Sequence, residues 1–431
     1  MNSIGAAVVP ASSTVSLNRT AGVLFDKKRL YKLHFCYRIT TMNTKQLSYL
    51  HTLLEKEIHD KKLFDCAIRV EHKGKMQFSA EYGQAHKDTI YRIFSMSKPV
   101  TTVAAMILFE RGIIDLYDPL SEYLPSFKNM QVTVKDSKGN ETLQEAQKPI
   151  LLRDLLNMTS GIVYPGEGCL ADQTMRAVQK QMDKEISEGK ILGNIEVCER
   201  LAQCPLQFEP GEGWRYGASA DILGGVIEAA SGMRFGKFLQ KEIFEPLNMS
   251  ETGFSVSECD EKRLLPFYSR SGPNRTLKPS SELDLYWMNN AANFAQPMFE
   301  SGGAGLYSTT RDYMHFARML LNKGSYKKER IISKKTIAFM AQDNLTEAQK
   351  KWVFFDNMYG YGYGNFLRVM THLPTASSNG SIGEYGWDGL PGTYFFIDPK
   401  EDLLMVYMQQ IKDGADQHLR RKMRQIIYSS L

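Results

Sequence analysis

The residues best placed to do chemistry are Ser95 and Lys98, three apart in the run Ser95-Met96-Ser97-Lys98. A serine hydroxyl is a weak nucleophile until a neighbouring group takes its proton. On a helix, residues three apart share a face, so the Lys98 amine can stand beside the Ser95 hydroxyl. A lysine that is desolvated, or set near another cation, titrates lower and can act as a base. Residues 95–111 carry Val100, Val103, Ala104, Met106, Ile107 and Leu108 at helical spacing and stop at Gly112, which puts Ser95 at a helix start. Free N–H groups and the helix dipole there favour developing negative charge. By itself the spacing also describes an N-cap serine with a surface lysine, and for an isolated match that plainer reading is the commoner one.

A sizeable scaffold must hold such a pair. The chain has 431 residues, 43% hydrophobic and 23% charged, an ordinary globular makeup but long for one small domain. Two packed domains, or one large two-part domain, are expected. Residues 45–60 repeat Leu47, Leu50, Leu53, Leu54 and Ile58 at helical spacing. Segments 64–70 and 76–78 read as strands around a Gly74-containing turn. Helix-like patterns follow at 151–157, 173–188, 195–203, 218–230 and 308–322. Toward the end, 392–397 and 403–409 are apolar strands around Asp398-Pro399-Lys400-Glu401-Asp402, a hairpin signature, and 413–430 reads as a closing helix. Strands near both ends and helices between them imply an α/β chain of the α+β type. Its antiparallel sheet is assembled from both termini, with an inserted mainly helical domain. The expected division is 42–115 and 305–431 for the α/β part and 116–304 for the helical part. Residues 1–41 are expected to be an extension, disordered or non-native, with the natural start near Met42, where the first helical pattern opens.

Several classes of function fall away. The net charge of +5, from 53 basic and 48 acidic residues, is too small and too interspersed for a nucleic-acid partner. The cluster Arg420, Arg421, Lys422 and Arg424 is expected to be a solvated helix face. The six cysteines (Cys36, Cys66, Cys169, Cys198, Cys204 and Cys259) include no C-x-x-C pair, so neither a disulfide framework nor a zinc site is expected. Free thiols in a reducing, cytoplasmic compartment fit better. No apolar run approaches the ~20 residues of a membrane span, and 1–41 lack the pattern of a secretory signal. A G-x-S-x-G elbow is missing; Gly380-Ser381-Ile382-Gly383 is near it but misspaced. None of the eight histidines sits in a recognised motif, and the glycines at 302–305 lack the Gly-Lys-Ser/Thr of a phosphate cradle. No metal or organic cofactor is required. Oligomeric state is not legible.

The longer run Tyr91-Arg92-Ile93-Phe94-Ser95-Met96-Ser97-Lys98-Pro99-Val100-Thr101 resembles the nucleophile segment of serine β-lactamases, DD-peptidases and family VIII carboxylesterases. The resemblance continues in order through Glu110-Arg111-Gly112, Leu116-Tyr117-Asp118-Pro119-Leu120, Leu155-Leu156-Asn157-Met158-Thr159-Ser160-Gly161, Pro210-Gly211, Gly302-Gly303-Ala304-Gly305-Leu306-Tyr307-Ser308-Thr309 and Gly392-Thr393-Tyr394-Phe395. It spans roughly 50–430, and its collinearity carries more weight than any one motif; a His usually stands where Met158 does. It implies a β-lactamase/transpeptidase-like fold with the site in the groove between the two halves. The family's Tyr-x-Asn falls on Tyr216-Gly217-Ala218. Tyr216 would share proton transfers with Lys98; a core tyrosine is the alternative, and which of the pair is the resting base stays open. The asparagine that holds a lactam's amide side chain is replaced by Ala218. The family's Lys-Thr-Gly corresponds to Trp387-Asp388-Gly389, which resembles the Trp-x-Gly of the family VIII esterases. Trp387 cannot hold a carboxylate as lysine does, though it can wall an apolar pocket or simply pack. Asp388 would repel an anion if it faces that pocket. The resemblance places the oxyanion hole at the backbone N–H groups of Ser95 and Leu390.

The implied activity is cleavage of carboxylic esters through a Ser95-linked acyl-enzyme, on a small-molecule ester or amide. A β-lactamase, a D-alanyl-D-alanine carboxypeptidase or an acyltransferase of the same fold are the alternatives, along with a catalytically dead binding protein. Specificity would lie in loops within 160–210 and 255–300.

Overall fold

The computed structural model describes residues 42–271, 276–280, 299–412, 414 and 416–431. The extension expected at 1–41 and part of the loop region expected at 255–300 lie outside them.

The chain opens with helix α1 (Thr44–His59), capped by the Asn43 side chain accepting from the Gln46 N–H. A hairpin follows, β1 (Cys66–His72) and β2 (Lys75–Tyr82). Its two-residue turn needs positive φ at both positions, met by Lys73 at 50° and Gly74 at 72°. Strand β3 (Ile90–Arg92) leads to the nucleophile turn and helix α2 (Ser97–Glu110). Then come the ribbon β4 (Gln131–Lys135) and β5 (Glu141–Glu145) and helices α3 (Leu152–Asn157), α4 (Leu170–Ser187), α5 (Asn194–Leu201) and α6 (Ser219–Ser231). Strand β6 (Tyr307–Thr309) precedes helix α7 (Thr310–Leu321). The chain closes with β7 (Tyr361–Gly364), β8 (Leu367–Met370), β9 (Tyr385–Asp388), β10 (Tyr394–Asp398), β11 (Leu403–Gln409) and helix α8 (Gln417–Tyr428).

Seven strands form one antiparallel sheet in the order β7-β8-β9-β10-β11-β1-β2. The two ends of the chain meet where Cys66 faces Gln409 and His72 faces Leu403. Strand alternation divides the core. Leu404, Val406 and Met408 of β11, with Phe395 and Ile397 of β10, face the larger cluster, which contains the buried side of α2, α6 and α7. Leu403, Met405, Tyr407, Tyr394 and Phe396 face the smaller cluster under α1 and α8. Both faces of β11 are covered, so all seven of its residues are buried.

The expected hairpin at 392–409 and the helices of the middle region are present within a few residues of the expected bounds. Strands β7 and β8 were not anticipated. The basic cluster on α8 requires a correction. Arg421 is exposed, but Arg420 and Arg424 are buried. They lie one helical turn apart beside the apolar stripe Leu419, Met423 and Ile427, and the sheet beneath supplies their counter-charges, Asp388 and Glu384.

Candidate active site

Ser95 sits in a short 3₁₀ turn, Phe94–Met96, just ahead of α2. Phe94 holds φ at 47°, the left-handed region that a non-glycine residue avoids. Such a conformation persists only when its surroundings over-determine it. Here β3 pairs with β6 and the Ile93 N–H donates to the Leu306 carbonyl (3.0 Å). The Phe94 ring packs with Phe267, Ala304 and Leu390. On the far side, Thr101 Oγ1 donates to the Gly302 carbonyl (2.7 Å) and Tyr313 OH to the Met96 carbonyl (2.9 Å). The nucleophile turn is thus tied to the 302–306 segment on both sides.

Lys98 is fully buried. Its Nζ donates to Ser95 Oγ (3.1 Å), Tyr164 OH (3.1 Å) and the Gly303 carbonyl (2.9 Å). Tyr216 is adjacent in a different way: Lys98 Nζ lies 4.7 Å from the centroid of its ring, and the Tyr216 oxygen accepts from the indole Nε1–H of Trp387 (3.2 Å). The Trp387 N–H is therefore spent on Tyr216, and its ring forms part of the groove wall. Trp387 is almost entirely buried on β9.

The structure brings Ser95, Tyr216, Trp387, Asp388, Gly389 and Leu390 to one groove of about 340 Å³, closed on another side by Phe355, Asp356, Asn357 and Gln417. Gly389 is the close-approach point: a Cβ there would stand 2.4 Å from the Ile93 carbonyl oxygen. Only glycine lets the end of β9 reach the nucleophile turn. Among the described residues neither the Ser95 N–H nor the Leu390 N–H donates to another group, so both remain available to an oxyanion.

Asp388 lines the groove, but its Oδ2 accepts from Arg368 Nη1 (2.6 Å), Arg420 Nη1 (2.7 Å) and Asn357 Nδ2 (3.0 Å). Burial would lift this carboxyl, yet the guanidiniums of Arg420 and Arg368 outweigh it and hold it below its ordinary value. Two cations offset its charge, so the repulsion of anions expected from an unpaired aspartate does not follow.

Two further residues come into the cluster that spacing did not reveal. Tyr164 reaches Lys98 because the 216–218 segment lies against the chain before it, where a Cβ on Gly217 would stand 2.1 Å from the Ile162 carbonyl oxygen. The only sequence signal was its place three residues after Gly161. Asp221, fully buried on α6, accepts from Ser301 Oγ and from the Gly303 N–H (3.0 Å), fixing the turn whose carbonyl holds Lys98. Burial pushes its carboxyl up, and the Lys98 charge opposes that shift. Ala218, where the family carries asparagine, is buried immediately before α6 and offers no polar group.

A buried lysine touching a serine hydroxyl, beside two tyrosines, at the mouth of a groove with free N–H groups, is an arrangement for acyl transfer to serine. Residues 52–428 match the Beta-lactamase family, and the chain belongs to that family. Its fold is the β-lactamase/transpeptidase-like one. Among its relatives, the protein Rv1367c of Mycobacterium tuberculosis is 30% identical over 330 residues, covering 75% of this chain and 78% of that protein. Esterase EstB of Burkholderia gladioli is 24% identical over 402 residues, covering 88% of this chain and 94% of the esterase. The solved structure of EstCE1, described as a hydrolase with promiscuous acyltransferase activity, superposes with a TM-score of 0.72 at 22% identity, covering 89% of this chain and 99% of that one. No helix among the described residues is long and apolar enough to cross a membrane.

Proposed function

We propose that this protein is a serine hydrolase that cleaves carboxylic esters of small molecules through an acyl-enzyme on Ser95. The observation that carries the reading is the 3.1 Å contact between Lys98 Nζ and Ser95 Oγ in a groove walled by Trp387 and Phe355. Ser95 Oγ attacks the ester carbonyl carbon, and its proton passes into the Lys98, Tyr216 and Tyr164 group. The carbonyl oxygen, now negative, takes the N–H groups of Ser95 and Leu390. As the tetrahedral species collapses, the C–O bond to the alcohol breaks and the alcohol leaves with the proton. Water then attacks the acyl-serine by the same route, releasing the acid and restoring Ser95. Trp387 and Gly389 shape the acyl site, and Asp388 holds the β9 end in place. The names borne by EstB and EstCE1 support ester cleavage. An acyltransferase, in which a second alcohol takes the place of water, is the second reading, supported by the acyltransferase activity in the description of EstCE1.

The same proposal keeps 42–115 and 305–431 as the α/β half and 116–304 as the helical half; its support is that the large sheet draws only on 66–82 and 361–409. It also keeps a cytoplasmic setting, supported by five described cysteines that are thiols, four of them buried.

The test is hydrolysis of p-nitrophenyl butyrate beside a chromogenic cephalosporin, in wild type and Ser95→Ala. Ester turnover that disappears in Ser95→Ala, with little lactam turnover, is the expected result. Ester turnover that survives in Ser95→Ala would remove Ser95 as nucleophile, and efficient lactam turnover would remove the esterase reading.

A further inference from the structure

Behind the reacting groups stands a buried carboxyl that touches none of them. Asp221 lies in the first turn of α6 and is fully buried. Its Oδ1 accepts from two donors, the Ser301 hydroxyl and the Gly303 N–H (3.0 Å). Its Oδ2 is shielded from solvent and has no hydrogen-bond partner among the described residues. Two converging donors and the N-terminal end of a 13-residue helix favour the carboxylate over the acid, whose added proton would find no acceptor at Oδ2. A buried carboxylate needs a counter-charge, and Lys98 is the cation whose charge acts on it.

The route between the two is continuous. Lys98 Nζ donates to the Gly303 carbonyl (2.9 Å). The N–H of that same peptide, on Ala304, donates to Ser301 Oγ (3.0 Å), and the Ser301 hydroxyl donates to Asp221 Oδ1. Every donor points the same way, from the amine toward the carboxylate, so each bond polarises the next. The neighbouring peptide is pinned as well, with Thr101 Oγ1 donating to the Gly302 carbonyl (2.7 Å) and the Gly303 N–H to Asp221. Gly303 permits the approach, since a Cβ there would stand 2.7 Å from Asp221 Oδ2. The other titratable groups packed on the pair are Tyr164 and Tyr216 beside Lys98, and the Cys198 thiol of α5, which burial and the Asp221 charge push up. Asp388, across the groove, is already offset by Arg368 and Arg420.

We propose that Asp221 is a positioning residue for proton transfer at Lys98: through Ser301 and the Gly303–Ala304 peptide it orients the amine, and it supplies the buried counter-charge that sets how readily Lys98 gives up its proton. Because the carboxylate sits behind a hydroxyl and a peptide, it favours the ammonium form without accepting any of its hydrogen bonds. Those stay on Ser95, Tyr164 and the Gly303 carbonyl. The inference deepens the ester-cleaving reading and rests on it for its kinetic consequence alone. Removing a negative charge makes proton loss easier for every group in the Lys98, Tyr216 and Tyr164 cluster, so the sign is the same whichever of them is the resting base.

NMR titration of the full chain labelled with ¹³C at the lysine Cε follows Lys98 directly, its resonance assigned by its absence in Lys98→Met. Asp221→Asn keeps an oxygen for both donors and removes the charge. It should move the Lys98 midpoint to lower pH by about one unit, and the acid limb of kcat/KM for p-nitrophenyl butyrate should move with it. Ser301→Ala keeps the charge and cuts the relay, so its shift should have the same sign and be smaller. It alters only a small side chain and decides the matter if Asp221→Asn does not fold. A residue that merely braced the turn would lower the melting temperature and leave both midpoints in place. A Lys98 midpoint unchanged or raised in Asp221→Asn, or unchanged in Ser301→Ala where Asp221→Asn does not fold, would overturn the proposal. The expected Lys98 shift in a protein whose wild type cleaves no ester would remove the hydrolase reading and leave this inference standing.

Discussion

Lys98 and Asp388 are both buried ionisable side chains, and the chain surrounds them in opposite ways. Lys98 touches only neutral oxygens: a serine hydroxyl, a tyrosine hydroxyl and a peptide carbonyl. No carboxylate lies within ion-pair distance of it among the described residues; Asp221 stands behind the Gly303 peptide. Asp388 instead has three donors on a single oxygen, two of them guanidiniums. A buried ion pair with good geometry is locked, since parting its members leaves an uncompensated charge in low dielectric. A buried amine held only by hydroxyls and a carbonyl has no carboxylate fixing its proton, so it is placed to take part in proton transfer with those hydroxyls. The difference marks one cluster as machinery for proton transfer and the other as a brace that fixes the end of β9 against α8.

The largest effect that would sharpen this contrast is on the reactive side. Lys98→Met keeps the length and apolar stem of the side chain while removing its amine. It should lower kcat/KM for p-nitrophenyl butyrate about a hundred- to ten-thousand-fold, the usual contribution of a proton-transfer group, while the urea midpoint stays near that of wild type. A large loss of stability with modest loss of rate would reverse the assignment and make Lys98 the brace.

Asp388→Asn should do the opposite. Two buried guanidiniums lose their counter-charge, and unfolding free energy should drop by about 3–5 kcal/mol in urea titrations. The pH dependence has a fixed sign. The carboxyl titrates lower in the folded protein than in the unfolded chain. Its contribution is therefore fully present above the unfolded pKa of about 4 and is lost as pH falls from there toward the lower folded value. The gap between wild type and Asp388→Asn should be constant near neutrality and narrow in acid. A gap that widened in acid would show that Asp388 is not held as a carboxylate.

Much of the reactive side was legible because its chemistry is local. Ser95 and Lys98 lie one helical turn apart, so one periodicity rule places them together. The hairpin of β10 and β11 was legible from alternation and its Asp-Pro turn. What escaped was made by tertiary contact. Tyr164 and Lys98 are 66 positions apart and meet because Gly217 allows its segment to lie on Ile162. Strand β7, Tyr361-Gly362-Tyr363-Gly364, carries little strand signal, since glycine is poor in strands. Its glycines are there because Asp343 crowds the first and the Gln342 carbonyl the second, each within 3 Å of where a Cβ would stand. The burial of Arg420 and Arg424 escaped for a related reason: charged residues are solvated by default, and the carboxylates that overrule the default sit on another element.

Tyr164→Phe probes a finer point of the contrast. If neutral oxygens are what keep Lys98 exchangeable, removing one should slow proton transfer without unfolding anything. A fall in kcat of about tenfold, equal to about 1.4 kcal/mol, is expected with a melting temperature close to wild type. An unchanged kcat would leave Tyr216 as the only tyrosine in the relay.

The smallest effect tests the brace by its nearest neighbour. Arg420 and Arg421 are adjacent on α8, yet one is buried on Asp388 and the other is exposed, with no hydrogen bond or ion pair among the described residues. Arg421→Ala should change unfolding free energy by no more than about 0.5 kcal/mol, as surface substitutions do. Arg420→Ala should cost several times more, because it strips one of two cations from a buried carboxylate. Urea titration of the two single variants and of each combined with Asp388→Asn separates them. The loss from Arg420→Ala should shrink once Asp388 is already neutral, while that from Arg421→Ala should simply add. Equal costs for the two arginines would mean that α8 is held by its apolar stripe alone, and that the charges beneath it brace nothing.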